Sequence, residues 1–404
     1  MSAPDFLPVW PPGANAFLVL GLLLLAGLAG GRLAATTRVL PAITGYIATG
    51  FVLGPGVVGL LSDSVLAQSR VLAEFSLGLI VFDLGRRLDL SWARHDRWLL
   101  PIGIAESALS FVAMFAVLRL IGTIDMLEAA VAAMVGIATA PAVVLLVTNE
   151  LKAEGPVTRR TLWHVALNNV IATLGITLLL PFIEARASGA TWNPVARALW
   201  LIAGSFLLGY VAFVLMTLLA RWLGKSAVPQ FVLAVGIIVA TVGAAQSARL
   251  SVLLALLVLG VCARNLDRRH RLVDVDFGRA AHVFFVALFV LTGATLRPDQ
   301  FGAIAWVGLA FVVARLLGKT AALFALAWPA HISLRQAGTL ALALTPIAGL
   351  AIGMTQPIYE VAPEFGARLA AIVVSGVAIL HLLGPIATRY ALIRAGEGEP
   401  GARD

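Results

Sequence analysis

From position 15 to position 391 the chain is a succession of mainly apolar runs, broken only by short polar stretches. A run of about 20 such residues is what a helix needs to cross the hydrocarbon of a bilayer. We read about thirteen spans by that measure, at 15–34, 40–61, 70–86, 98–121, 125–149, 159–183, 195–220, 227–246, 250–263, 278–296, 301–327, 334–356 and 366–391. Backbone groups in lipid must be satisfied within the segment, so runs of this length are helices and the expected fold is an all-α integral membrane protein. A content of 60% hydrophobic and 12% charged residues excludes a soluble domain of this length.

The single cysteine, Cys262, rules out an intrachain disulfide and a cysteine metal site. The opening "MSAPDFLPVWPPGANAF" has no basic segment before the first apolar run, which reads as a retained helix. The net charge of +8 follows from basic loops on one side of a membrane rather than from nucleic-acid binding. With the N-terminus outside, the inner loops collect Arg32, Arg38, Arg86, Arg87, Arg94, Arg97, Lys152, Arg159, Arg160 and several later basic residues. The outer loops hold mainly Arg70, Arg186, Arg197, Arg249, Arg297 and Arg368. This sorting places the C-terminus, with its short tail 395–404, in the cytoplasm of a cell with the chain in its plasma membrane.

The fifth and twelfth spans each carry a proline among small residues at mid-depth, "GIATAPAVV" (136–144) and "LALTPIAGL" (342–350). Proline lacks an N–H and frees the carbonyl one turn back, and such a break survives in a bilayer where it lines a polar site. The breaks lie an odd number of spans apart, so the second set of helices runs opposite to the first, as in an inverted repeat. Around Thr139 and Thr345 the two breaks are expected to cross.

In the sixth span "VALNNV" (165–170) sets two amides about 15 Å in from Arg159, near the bilayer midplane. Thr161, His164 and Asn168 share one face, with Asn169, Thr173 and Thr177 on the adjoining strip, so this helix has a polar side turned to protein or water. Interhelical amide bonding is one reading and a transport site the other. Glu106, without a close basic neighbour, is suited to pair with a cation from another helix, and Arg315 needs a carboxylate or freed backbone carbonyls. Lys319, one turn on, is suited to snorkel. Asp83 stands just before Arg86 and Arg87 and reads either as an ion pair along its helix or as a transport carboxylate. His164 is the one titratable group on the amide face, a polar core residue or a proton carrier. No hydrolase nucleophile, metal-ligand spacing or cofactor motif is present, so no enzymatic activity and no cofactor are expected.

The passages "LPAITGYIATGFVLGPGVVGLL" (40–61), "SLGLIVFDLGRRLDL" (76–90), "ATAPAVVLLVTNELKAEGPVTRRTLWHVALNNV" (138–170), "LSVLLALLVLGVCARN" (250–265), "FFVALFVLTGATL" (284–296) and "ARLLGKTAALFALAW" (314–328) resemble the monovalent cation/proton antiporters of the sodium/proton exchanger superfamily. The resemblance implies two inverted six-helix repeats, 1–183 and 227–394, joined by a linker helix at 195–220, with crossed discontinuous helices and a homodimeric assembly. It implies exchange of sodium or potassium for protons, with Asn168, Asn169 and Thr139 at the cation site. Electroneutral members carry an acid in the third span and an arginine in the eleventh, matching Asp83 and Arg315. The lysine that electrogenic members place in the tenth span is absent from "FFVALFVLTGATL".

One departure stands out: the sixth-span motif of the family is Asp-Asp or Asn-Asp, and here it is Asn168-Asn169. An amide does not titrate. Either the titrating group has moved to Asp83, Glu106 or His164, or the chain is a proton-uncoupled or other small-solute transporter on the same scaffold, or it is a non-transporting sensor.

Overall fold

Prolines and small polar caps decide where the apolar runs start as helices. Proline takes the first position of α7, α8, α9 and α15, where its missing N–H is not needed. Asn193 accepts from the Val195 N–H ahead of α9, Ser251 caps α11, and Ser333 and Gln336 form a reciprocal capping box ahead of α14. The computed structural model describes residues 16–398 apart from 38–39, 63–64, 67–68, 123, 190–192, 268–271, 273–277, 295–300, 348–350, 352, 356–357 and 359–360.

Regular structure among the described residues is entirely helical. In chain order the helices are α1 (Ala16–Thr36), α2 (Ala42–Leu53), α3 (Arg70–Arg87), the short α4 (Leu90–His95), α5 (Leu99–Leu120), α6 (Met126–Ile137), α7 (Pro141–Glu150) and α8 (Pro156–Ser188). They continue with α9 (Pro194–Leu223), α10 (Ala227–Ser247), α11 (Val252–Asn265), α12 (Gly278–Ala294), α13 (Phe301–Ala327), α14 (Leu334–Ala343) and α15 (Pro363–Ala395). Eight of the described spans, counting α6 and α7 as one, are long and apolar enough to cross a membrane, and α2, α11 and part of α12 are shorter apolar helices.

Two expected spans are cut short. The run 40–61 is helical only to Leu53, because Gly54 and Pro55 turn the chain out of the helix. The run 334–356 stops as a helix at Ala343, with Thr345, Pro346 and Ile347 outside any helix, and part of its second half lies outside the described residues.

The helices pack as two groups. In one, α3 lies on α11, α2 on α12 and α1, and α9 on α11; in the other, α13 lies along α5, α5 on α6, and α15 on α13 and α14. Helix α8 joins them, packing on α9 on one side and on α6 and α5 on the other. Small residues allow the closest approaches. A Cβ on Gly85 of α3 would stand 2.9 Å from Gly260 Cα of α11, so both positions stay bare and the two backbones meet. Large apolar side chains such as Trp200, Leu207 and Trp222 of α9 point outward, as lipid requires.

Candidate functional site

The two proline breaks meet in the second group. Helix α6 ends at Ile137, residues 138–140 are extended, and Pro141 restarts the chain as α7. The Ala140 N–H donates to the Pro346 carbonyl at 3.0 Å, so the breaks of the fifth and twelfth spans touch directly, as the inverted-repeat pattern predicts.

Arg315 of α13 fills the crossing. Its Nε donates to the Gly136 carbonyl at 2.7 Å, Nη1 to Thr345 O at 2.8 Å and Nη2 to Ala138 O at 2.9 Å. Longer contacts from Nη2 reach Leu344 O and Pro346 O at 3.4 and 3.5 Å. Of the two kinds of partner expected for Arg315, freed carbonyls are the ones it meets. The C-terminal ends of α6 and α14 converge on the guanidinium, so the negative ends of two helix dipoles and several orphan carbonyls compensate one fully buried charge.

One turn further along α13, Lys319 is fully buried and does not snorkel; its Nζ is ion-paired with Glu106 Oε1 of α5. Asn168 of α8 donates from Nδ2 to the same Glu106 oxygen and to Thr139 Oγ1, each at 3.2 Å, and accepts from Ser107 Oγ at 3.0 Å. Asn169 donates from Nδ2 to the carbonyls of Thr139 and Val165, both at 2.7 Å. Two buried oxygens in this cluster, Glu106 Oε2 and Asn169 Oδ1, have no hydrogen-bond partner among the described residues. Such orphans are rare in interiors and point to a ligand or a proton.

The structure thus brings Glu106, Thr139, Asn168, Asn169, Arg315, Lys319 and the Thr345 carbonyl into one cluster. Asp83 makes its ion pair with Arg87 on its own helix at 3.0 Å and is joined to the cluster by no hydrogen bond or ion pair among those described. The polar side of α8 faces protein throughout: Thr161, His164, Asn168, Asn169, Thr173 and Thr177 are all buried. His164 is fully buried and neither ring nitrogen makes a hydrogen bond of normal geometry. Ser107 was not singled out from the sequence, although "AESALS" (105–110) places Glu106, Ser107 and Ser110 where one side of a helix carries them.

At the Pro156 end of α8 an open cavity of about 450 Å³ is lined by Trp92, Asp96, Gly155, Pro156, Arg159 and Arg160. Arg160 holds Asp96 Oδ2 through Nε and Nη2 at 3.1 and 2.9 Å. Beside it, Glu397 accepts from the Val157 and Thr158 amides at 2.8 and 2.7 Å, which satisfies two orphan donors of α8.

At the crossing of the two breaks, a buried arginine thus lies with a buried carboxylate and two buried amides. A family model described as "Sodium/hydrogen exchanger, transmembrane" matches residues 20–390. The chain belongs to this family. Two solved structures of the sodium proton antiporter MjNhaP1 from Methanocaldococcus jannaschii share its fold. One, determined at pH 8, has 15% identity and a TM-score of 0.71, covering 94% of this chain and 95% of that one. The other, from electron microscopy, has 16% identity and a TM-score of 0.72, with 96% and 99% covered. No curated protein matches the chain. This member of the exchanger family is therefore an all-helical multi-pass membrane protein of the sodium/proton antiporter fold, in which the cluster around Glu106 occupies the crossing of the two broken helices.

Proposed function

We propose that this chain exchanges a monovalent cation, sodium or potassium, for protons by alternating access, and that cation and proton compete at the Glu106–Lys319 pair, the cation for the carboxylate and the proton for the amine that otherwise neutralises it. The observation that carries the reading is the buried Glu106–Lys319 pair beside two amides that cannot titrate. An ionised carboxylate with a free oxygen binds an alkali cation, and Thr139 Oγ1 and the unpartnered Asn169 Oδ1 are neutral oxygens of the same cluster that add to the shell. In the cation-free state the Lys319 ammonium takes that place.

Charge conservation supplies the coupling. Arg315 fixes one positive charge, and Glu106 balances one more. A further positive charge in a buried site costs several kcal/mol, so a cation enters as a proton leaves the pair. The exchange at the site is one for one. Asn168, donating to Glu106 and accepting from Ser107, orients the carboxylate rather than titrating. Residues 1–183 and 227–394 serve as the two repeats around the linker helix 195–220, and the helices bearing the site move as a body against the other group. The family resemblance supports a homodimer in the plasma membrane, N-terminus outside and C-terminus in the cytoplasm.

The test is proteoliposomes loaded with a pH-sensitive dye and challenged with sodium, potassium or lithium. The unmodified chain is expected to move protons against the cation, and Glu106→Gln to abolish the flux, while Asn169→Asp retains or raises it by adding a second titrating oxygen. Unchanged flux in Glu106→Gln means the coupling group is elsewhere, with Asp83→Asn the next variant. No flux from the folded, unmodified chain favours the small-solute or non-transporting reading, with the ion pair a structural staple.

A further inference from the structure

We infer that His164 is the proton relay between the Glu106–Lys319 pair and the cavity at the Pro156 end of α8. The inference rests on the exchanger reading above and adds the route by which its proton travels.

Three observations converge on His164. Arg160, His164 and Asn168 stand at successive turns of one face of α8, each about 6 Å further along the axis. The first lines the cavity and the last holds Glu106. His164 therefore occupies the one turn that separates the open cavity from the buried carboxylate. Its ring lies over α5: a Cβ placed on Gly103, one turn before Glu106, would sit 3.7 Å from His164 Cδ2. The charged groups that face it are Glu106 from α5, Lys319 from α13 and Arg160 on its own helix. Finally, the ring meets the Leu99 backbone but neither of its nitrogens makes a hydrogen bond of normal geometry, and Glu106 Oε2 has no partner among the described residues. A buried imidazole without a well-formed hydrogen bond is costly and uncommon; His381 is buried in the same state, and what sets His164 apart is that the charges of Glu106 and Lys319 act on it.

The chemistry needs no added group. As a cation takes the place of the Lys319 ammonium, an Nζ–H bond breaks and the proton passes to Glu106. The carboxyl turns about Cγ–Cδ and the O–H formed on Oε1 gives its proton to the bare ring nitrogen of His164, while the proton on the other ring nitrogen is released to water in the cavity. Glu106 is left ionised on the cation, Lys319 is neutral, and a ring flip restores the original tautomer of His164. The reverse sequence loads a proton when the cation leaves. Neutral imidazole has one donor and one acceptor nitrogen, which is what such a hand-over requires. Gln in its place keeps a polar side chain without titrating near neutral pH.

The test compares two fluxes in proteoliposomes containing the unmodified chain or His164→Gln. Sodium-driven proton flux requires the relay in every cycle; exchange of labelled for unlabelled sodium moves no net proton, because one sodium can leave the deprotonated pair and another bind it before a proton returns. In His164→Gln the proton-coupled flux is expected to fall at least about tenfold, as for the loss of a positioned acid–base group, with sodium–sodium exchange and its half-saturating concentration holding within about twofold. If Gln prevents folding, judged by size-exclusion profile, His164→Ala is tested with imidazole added, where recovery of proton flux is expected. Equal proton flux and pH profile in His164→Gln and the unmodified chain overturn the relay. Loss of both fluxes from a folded variant overturns it too, because His164 would then be positioning the cation site. An alanine variant that imidazole does not restore counts against it in the same way. Absence of both fluxes from the unmodified chain removes the exchanger reading itself and the relay with it, an outcome distinct from a defect confined to the variant.

Discussion

The Glu106–Lys319 pair yields a quantitative prediction because its side chains are 0% and 1% exposed. Removing one partner strands the other where water cannot reach it. The remaining contacts, Asn168 Nδ2 at 3.2 Å for the carboxylate and Thr139 Oγ1 at 3.4 Å for the ammonium, are too weak to hold a full charge. The stranded group then escapes by changing its protonation, which sets a ceiling on the loss. For a carboxylate of ordinary pKa about 4.3, protonation at pH 7 costs about 4 kcal/mol, and deprotonating an amine of ordinary pKa about 10.4 costs about 5 kcal/mol. Lys319→Met and Glu106→Gln should each lose up to these amounts, in line with the roughly 3–5 kcal/mol typical of breaking a buried pair.

The two variants respond oppositely to pH. In Lys319→Met the folded state binds one more proton than the unfolded chain, so stability falls by about 1.4 kcal/mol for each unit the pH rises. In Glu106→Gln the unfolded chain binds one more, so stability rises with pH at the same slope. The double variant Glu106→Gln/Lys319→Met strands nothing and should lie within about 2 kcal/mol of the unmodified chain, without either slope. Equilibrium unfolding of the purified protein in detergent, followed by tryptophan fluorescence at pH 6 and pH 8, measures all four corners of the cycle. Losses under about 1 kcal/mol in both single variants, or a double variant as unstable as the sum of the two, would refute the reasoning by showing the pair to be hydrated.

Further expectations concern the crossing and the surface. Arg315→Met takes the donors from three carbonyls at 2.7, 2.8 and 2.9 Å; at about 1–3 kcal/mol per stranded acceptor, less the relief of no longer burying a guanidinium, the loss should exceed about 3 kcal/mol. Arg315→Lys should recover only part of it, since an ammonium cannot span both breaks, and a Met variant as stable as the parent in detergent unfolding would contradict this. Outside the membrane, partial burial raises the Asp89 pKa but is outweighed by hydrogen bonds from Ser91 and Arg264, which bring it down to about 2. Its contribution is fully present above the ordinary carboxylate range and disappears as pH falls towards about 2, so the stability gap between parent and Asp89→Asn should be flat from pH 8 to 5 and close in stronger acid. A gap that persists unchanged in acid would assign it to packing instead.

Run length and proline placement specify the class of fold and where its helices break. Apolar run length specifies membrane helices because lipid leaves the backbone no other partner, and a proline among small residues marks where a helix is interrupted whatever surrounds it. Asn168 and Asn169 were legible as a buried polar strip because 3.6-residue periodicity is a local property. Partner choice was not legible. Whether Arg315 meets a carboxylate or bare carbonyls depends on where two helix ends separated by some two hundred positions converge. Lys319 could be placed at an interface or in the interior until α13 was laid along α5, which put its ammonium on Glu106. Asp83 illustrates the converse. Its ion pair with Arg87 lies four positions away on one helix and needs no tertiary structure to form. Only the tertiary packing joined Glu106 to Lys319, because an interior of low polarity leaves a buried charge no acceptable environment except an opposite charge that another helix happens to present.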